Sequence, residues 1–303
     1  MEQLRFDGKV AIITGAGRGI GFEHAQLLGS RGAKLVVNDI QGAQEAVEKL
    51  KAMGIEAVAD DHNIANIEEA CKIAAKAVEH YGKIDILINN AGVNGSLSIE
   101  EETDEKFDFI MKVNVYGSRN LCKAVYGIMK KQGYGRIVNT TSNAAMYGAE
   151  NLFAYSISKG AVYGMTRSLA LLGVEHGIKV NAIAPAAATV MAMQDSGFHV
   201  TDPEILKATE KAMPAKAISP IVAILAHEKC PTNGKVFETC AGRVNEIFVG
   251  TTMGYYDPTF TPEVLFDHLD EIRSQEDFAI VEDMMSANVL MEMAIKRQFE
   301  KQK

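Results

Sequence analysis

The chain has 303 residues, 47% of them hydrophobic and 23% charged, and its 31 Lys and Arg face 39 Asp and Glu for a formal net charge of -8. Such a balance belongs to a globular protein of one large α/β unit or two ordinary domains, and it excludes disordered, collagen-like and low-complexity chains. The negative charge leaves no electrostatic footprint for nucleic acid and little attraction to anionic membranes, so neither is an expected partner.

Along the chain, short β-branched runs alternate with amphipathic stretches, the pattern of repeated strand-helix-strand units. Strands are expected at residues 10–14, 34–38, 56–59, 84–89, 136–140, 179–184 and 235–237, and helices at 20–30, 44–53, 67–81, 105–131 and 153–176. Gly32, Gly54, Gly82 and Gly177 stand where helices stop. The run Ile84-Asp85-Ile86-Leu87-Ile88 is nearly continuously apolar rather than alternating, as parallel strands covered on both faces require. The expectation is a single-domain, Rossmann-type α/β fold with a doubly wound parallel sheet over residues 1–255 and a C-terminal helical extension over 256–303. Periodicity breaks down over 186–219, which reads as a substrate-loop insertion of the kind that forms lids. A final helix is expected at 277–301, where Met284, Met285, Met291 and Met293 suit core or subunit-interface packing, or a flexible pocket wall.

No stretch reaches the roughly 18 apolar residues of a membrane span. Residues 161–174 come near, but Arg167 and Ser168 interrupt them. Residues 1–9 lack the apolar core and cleavage site of a secretory signal, so a cytoplasmic protein is expected. Cys71, Cys122, Cys230 and Cys240 are too scattered for a disulfide framework, and the seven histidines form no pair at metal-ligand spacing, so no metal site is expected.

The first strand runs directly into Thr14-Gly15-Ala16-Gly17-Arg18-Gly19-Ile20-Gly21 and then a helical pattern. Glycines at such a place permit positive φ, let backbone amides approach a pyrophosphate, and allow the helix to pack close to the sheet. The helix N-terminus adds partial positive charge. A second strand ends at Asp39, 24 positions after Gly15, where a carboxylate can accept hydrogen bonds from ribose hydroxyls and repel a 2'-phosphate. Arg18 pulls the other way, since a basic loop residue can pair with that phosphate. A like-charge cost decides for Asp39 and hence for NAD over NADP.

The spacing is T-G-x-x-x-G-x-G rather than G-x-G-x-x-G. With Asn89-Asn90-Ala91-Gly92, Asn114, Ser142 and Tyr155-Ser156-Ile157-Ser158-Lys159 following in order, residues 7–245 resemble the short-chain dehydrogenase/reductase family. The resemblance implies a nicotinamide cofactor held by Gly15, Gly17, Arg18, Gly19, Ile20, Asp39, Asn90, Ala91, Gly92, Tyr155, Lys159, Pro185 and Thr189, with Asn63 and Ile64 at the adenine. It implies a catalytic set in which Ser142 binds the reacting oxygen, Tyr155 transfers the proton, Lys159 holds the nicotinamide ribose and Asn114 supports a water relay. Tyr155 and Lys159, four apart on a helix, share a face, and a neighbouring ammonium is expected to favour the phenolate of a side chain whose ordinary pKa is about 10. Two departures stand out: Asn63 where the family commonly has Asp, and Pro185-Ala186 where Pro-Gly is usual.

Within the family, Val36-Val37-Asn38-Asp39, Tyr134-Gly135-Arg136-Ile137-Val138 and Asn233 through Glu238 resemble the hydroxyacyl-CoA dehydrogenase unit of peroxisomal multifunctional enzyme type 2 and related hydroxysteroid dehydrogenases. Met146, Leu152 and Met191, with Ser142 and Tyr155, are the expected substrate pocket. No basic cluster accompanies residues 189–209, which favours a bulky apolar hydroxysteroid over a (3R)-3-hydroxyacyl-CoA, whose phosphates call for Lys or Arg. A non-catalytic NAD-binding sensor on the same fold is the remote alternative. Family members are often oligomers, so a homodimer or homotetramer is expected.

Overall fold

A computed structural model describes residues 3–95, 97–187, 204, 208, 211–284, 286–288, 291, 292 and 296. The chain divides into two compact units, Met1–Glu246 and Ile247–Lys303. The first carries an eight-stranded sheet: β1 (Val10–Thr14), β2 (Lys34–Asn38), β3 (Ala57–Asp60), β4 (Ile86–Asn89), β5 (Gly135–Thr140), β6 (Ile178–Ala186), β7 (Val236–Cys240) and β8 (Arg243–Ile247). Their order is β3-β2-β1-β4-β5-β6-β7-β8, and the pairings from β3 through β7 are parallel.

The apolar strand sequences follow from this two-sided burial. Ala11, Ile13, Leu35, Val37, Ile86 and Ile88 point into one core, with Leu28 of α1 (Gly19–Ser30), Val47 and Leu50 of α2 (Ala43–Ala52), and Val222. Val10, Ile12, Val36 and Leu87 point into the opposite core, with Ile73 of α3 (Ile67–Tyr81) and residues from the helices after β4 and β5. Alternate residues face opposite sides, so a strand packed on both must be apolar throughout. Chain order reverses between β1 and β4, and a doubly wound sheet opens its ligand crevice at such a point, beyond the carboxyl ends of the strands.

Between β4 and β5 the sequence suggested one long helix. The structure has α4 (Asp104–Met111), a π-helical turn at Lys112–Gly117, and α5 (Ser118–Gln132). After β5 come α6 (Ala144–Tyr147) and α7 (Phe153–Gly173), the latter ending in a 3-10 turn at Val174–His176. The last helix of the unit, α8 (Ser219–Ala226), carries Val222 into the first core. Strand β8 was not legible because Arg243-Val244-Asn245-Glu246-Ile247 has little apolar content. Ala241 and Gly242 both take positive φ, 47° and 81°, in the two-residue turn that folds β8 back beside β7.

In the second unit β9 (Gly250–Thr252) pairs antiparallel with β10 (Phe278–Ile280), and two short helices, α9 (Pro262–Asp267) and α10 (Leu269–Arg273), lie between them. The helix expected from Asp277 is therefore corrected at its start. The β-forming Phe278-Ala279-Ile280 finds a strand partner, and Phe278 stacks on Phe248 with centroids 6.3 Å apart. Met284 and Met291 are exposed, while Met285 and Met293 lie outside the described residues.

His24 on α1 is fully buried against α8. Its Nδ1 lies 2.8 Å from Ser219 Oγ, and Nε2 has no hydrogen-bond partner among the described residues. Burial pulls its pKa down from 6.5 to about 3. The folded ring stays neutral where the unfolded ring takes a proton, so stability is complete above pH 6.5 and drains away as pH falls toward 3. Urea unfolding of wild type and His24→Gln at pH 7.5 and 4.5 should show wild type losing about 2–3 kcal/mol more than the variant. Parallel losses in the two proteins would remove His24 as the cause.

Candidate active site

The glycine loop sits between the ends of β1 and β2. Gly15 and Gly19 have φ of +62° and +59°, which a side chain would strain. A Cβ on Gly15 would lie 2.7 Å from Ala91 Cα, and one on Gly17 would lie 2.5 Å from Gln41 O and 2.9 Å from Asp39 Oδ2. At Gly19 the same Cβ would meet nothing, so the α1 N-terminus is open on that side. Asp39 accepts from Gly17 N–H at 2.9 Å and from Gln41 N–H at 3.0 Å, bridging the loop to the end of β2. Arg18 is the extended residue that begins α1, its side chain exposed.

The Asn90-Ala91-Gly92 segment is fastened to this loop by Thr14, which opens the glycine motif but to which the sequence assigned no role of its own. Thr14 Oγ1 accepts from Asn90 N–H at 3.1 Å and Ala91 N–H at 3.0 Å, while Asn90 Nδ2 donates to the Thr14 and Gly15 carbonyls. A Cβ on Gly92 would come within 3.1 Å of Asn114 Oδ1 and 3.3 Å of Lys159 Nζ, so the two expected catalytic side chains meet over a bare backbone. These cradles, which side chains would fill, and the amides around them fit a dinucleotide.

Asn114 lies in the π-helical turn, fully buried. Its Oδ1 accepts from Val93 N–H at 2.8 Å, and its Nδ2 donates to Val93 O and to Ser158 Oγ, each at 2.9 Å. The widened turn re-aims the side chain at the segment after β4, a use of π-turns met at functional sites. Ser158 Oγ donates in turn to Tyr155 O at 2.7 Å. Lys159 Nζ donates to Thr140 O at 2.9 Å and stands 5.6 Å from the Tyr155 ring centroid. Ser142, two residues beyond Thr140 at the end of β5, is buried, and its hydroxyl acts on the Tyr155 phenol. Serine, tyrosine, lysine and asparagine thus converge beside the glycine cradles.

The electrostatics correct one expectation. Burial pushes the Tyr155 phenol above its ordinary pKa of 10, and the hydrogen bond from Ser142 offsets this in part. Lys159 is itself pulled down by burial from 10.5 to about 8. The ammonium does not turn the tyrosine into a phenolate in the protein alone. At neutral pH the pair stands as phenol and ammonium, a state suited to donating a proton.

Other expected residues fall in different places. Asn63 is exposed and makes a local turn, its Oδ1 accepting from Ala65 N–H at 2.9 Å, and Ile64 is buried against Gly117. The acid nearest the end of β3 is the buried Asp60, paired with Lys76 at 2.9 Å and His62 at 3.1 Å. Pro185 is the next-to-last residue of β6, opposite Thr239 of β7. Met146 and Leu152 are half-buried on α6 and just before α7, while Thr189 and Met191 lie outside the described residues.

Residues 9–198 match the short chain dehydrogenase family. The chain belongs to that family. Peroxisomal multifunctional enzyme type 2 of Drosophila melanogaster is 32% identical over 95% of this chain and 47% of its own length. The full-length structure of that enzyme superposes on 97% of this chain and half of itself with a TM-score of 0.80. Peroxisomal hydratase-dehydrogenase-epimerase of Neurospora crassa is 35% identical over 89% of this chain and 31% of that protein. A 7α-hydroxysteroid dehydrogenase solved with NADH and 7-oxo glycochenodeoxycholic acid is 32% identical, with a TM-score of 0.70 over 80% of this chain and 97% of that one. The chain thus spans about a third to a half of the two curated relatives. Both are peroxisomal by name, which overturns the cytoplasmic expectation. A composition of this kind is common to enzymes of several compartments and carries no address of its own.

Proposed function

We propose that this short-chain dehydrogenase is an NAD(H)-dependent enzyme interconverting a (3R)-3-hydroxyacyl-CoA and the 3-oxoacyl thioester. The reading rests on one observation: likeness to the multifunctional enzyme runs through 97% of the chain, whereas likeness to the hydroxysteroid dehydrogenase covers 80%, about the extent of the first compact unit. That reverses the order in which the sequence ranked the two substrates. The bound 7-oxo steroid in the second relative keeps the hydroxysteroid as an alternative.

A nicotinamide dinucleotide, held by the glycine loop and the Asn90-Ala91-Gly92 segment, would supply the hydride acceptor or donor. In the reductive direction the Tyr155 phenol gives its proton to the carbonyl oxygen, with Ser142 holding that oxygen. Lys159, fixed on Thr140 O, presents its ammonium to the ribose side, and Asn114 ties the widened turn to the segment after β4, the place from which it would support a water relay. In oxidation Tyr155 takes the proton back. Asp39 at the end of β2 supports NAD over NADP. Exposed Leu171, Leu172 and Val174 at the end of α7 and in the 3-10 turn after it support a homo-oligomer.

The test is turnover of 3-oxoacyl-CoA thioesters and steroid ketones with NADH and, in parallel, NADPH. A kcat/KM for 3-oxoacyl-CoA with NADH at least about tenfold above the other combinations is expected. Faster steroid turnover would hand the assignment to the alternative, and no turnover with any ketone would revive the non-catalytic sensor.

A further inference from the structure

The catalytic tyrosine occupies the third position of α7, in the turn of a helix where backbone N–H groups have no intrahelical acceptor. Such a turn frays unless something caps it, and Leu152, which precedes α7, offers no side-chain cap. The partner comes from elsewhere in the sequence. Glu102, half-buried in the segment before α4, places Oε1 3.2 Å from Ala154 N and accepts its hydrogen bond. Ala154 is buried and is the residue immediately before Tyr155.

A second contact ties the same two segments together. Leu97 N–H donates to Asn151 O at 2.8 Å, and Leu97 pairs with Leu152 in an isolated parallel bridge. Asn151 takes φ of +58°, in the left-handed region that Asn tolerates, and so turns the chain sharply at the approach to α7. On the other side of Tyr155, the chain from Asn114 Nδ2 through Ser158 Oγ to Tyr155 O fixes the following turn. The phenol therefore stands between two external tethers. One comes from the π-helical turn and the other from Glu102.

We propose that Glu102 is a positioning residue for Tyr155. Its carboxylate caps the first turn of α7 from outside the helix, so that the phenol stays aligned on the reacting oxygen. This rests on the dehydrogenase reading, in which Tyr155 carries the proton. A carboxylate at a helix N-terminus is favoured by the macrodipole as well as by the hydrogen bond, and a neutral carboxamide keeps the acceptor while losing the charge.

The experiment compares wild type, Glu102→Ala and Glu102→Gln in ketone reduction with saturating NADH, together with NADH affinity by fluorescence and thermal midpoints. Wild-type turnover with at least one ketone of the panel is the precondition, and its absence would count against the dehydrogenase reading rather than against Glu102. Given that turnover, Glu102→Ala should lower kcat about 10- to 100-fold, the penalty of a small misplacement of an acid/base group, while ketone KM and NADH affinity stay within about twofold. Glu102→Gln should recover to within about threefold of wild type, because Oε1 still accepts from Ala154 N–H. An alanine variant with wild-type kcat, even at a lowered thermal midpoint, reduces Glu102 to a structural cap and overturns the proposal. A glutamine variant as slow as alanine overturns it too, and that variant alone decides the matter if alanine fails to fold.

Discussion

Tyr155→Phe is expected to lower kcat by about 10³ or more in ketone reduction while NADH binds with near wild-type affinity. The substitution removes a single oxygen from a side chain whose ring stays packed on α7, so the cofactor cradles at Gly15, Gly17 and Gly92 are untouched. What is lost is the proton donor. Burial raises the phenol's pKa, so it is fully protonated at neutral pH and suited to donate rather than to accept. Oxidation of the alcohol needs the opposite state, and its rate should climb with pH over a range in which reduction does not gain. Stopped-flow absorbance of NADH under single-turnover conditions, beside a fluorescence titration, separates chemistry from binding. A variant retaining more than about a tenth of the wild-type rate would mean that some other group delivers the proton.

The sheet was readable because two-sided burial leaves a plain trace: strands such as Ile86–Asn89 have no polar face to show. The glycine loop was readable for a related reason, since Gly15 and Gly17 stand where backbones approach too closely for any Cβ. Less was visible where a residue acts through distant partners. Thr14 looks like any strand-end threonine, yet it receives amides 76 and 77 positions away. Glu102 looks like one acid among several, since helix periodicity says nothing about a cap supplied across 52 positions. The π-helical turn is likewise hidden, because Lys112–Gly117 continues an α-helical pattern and only the pull of Val93 and Ser158 on Asn114 shows why it widens. Spacing predicted that Tyr155 and Lys159 share a face, but it could not give the dielectric around them. Their burial raises the phenol and lowers the ammonium, against the expected phenolate.

That burial carries a cost that can be measured on the protein without cofactor, and Lys159→Met should expose it by stabilising the fold while abolishing turnover. Lys159 titrates near 8 when folded against 10.5 in the reference state. Below pH 8 both states hold the proton and the folded state bears the full penalty of a buried ammonium, on the order of 3 kcal/mol. Between pH 8 and 10.5 the unfolded chain binds more protons, so wild-type stability rises with pH through that window. Methionine matches the length of the stem without the charge, but it leaves Thr140 O without its donor at 2.9 Å, which returns about 1–2 kcal/mol of the gain. The variant should therefore be more stable than wild type by about 1–2 kcal/mol in urea unfolding at pH 7, and the advantage should vanish or reverse by pH 10. An advantage that is absent at pH 7, or that is the same at both pH values, would show that the ammonium is not the source of the penalty. Loss of turnover in a better-folded protein is the outcome expected of a group kept for its charge beside Tyr155 and the cofactor ribose and not for the stability of the helix that carries it.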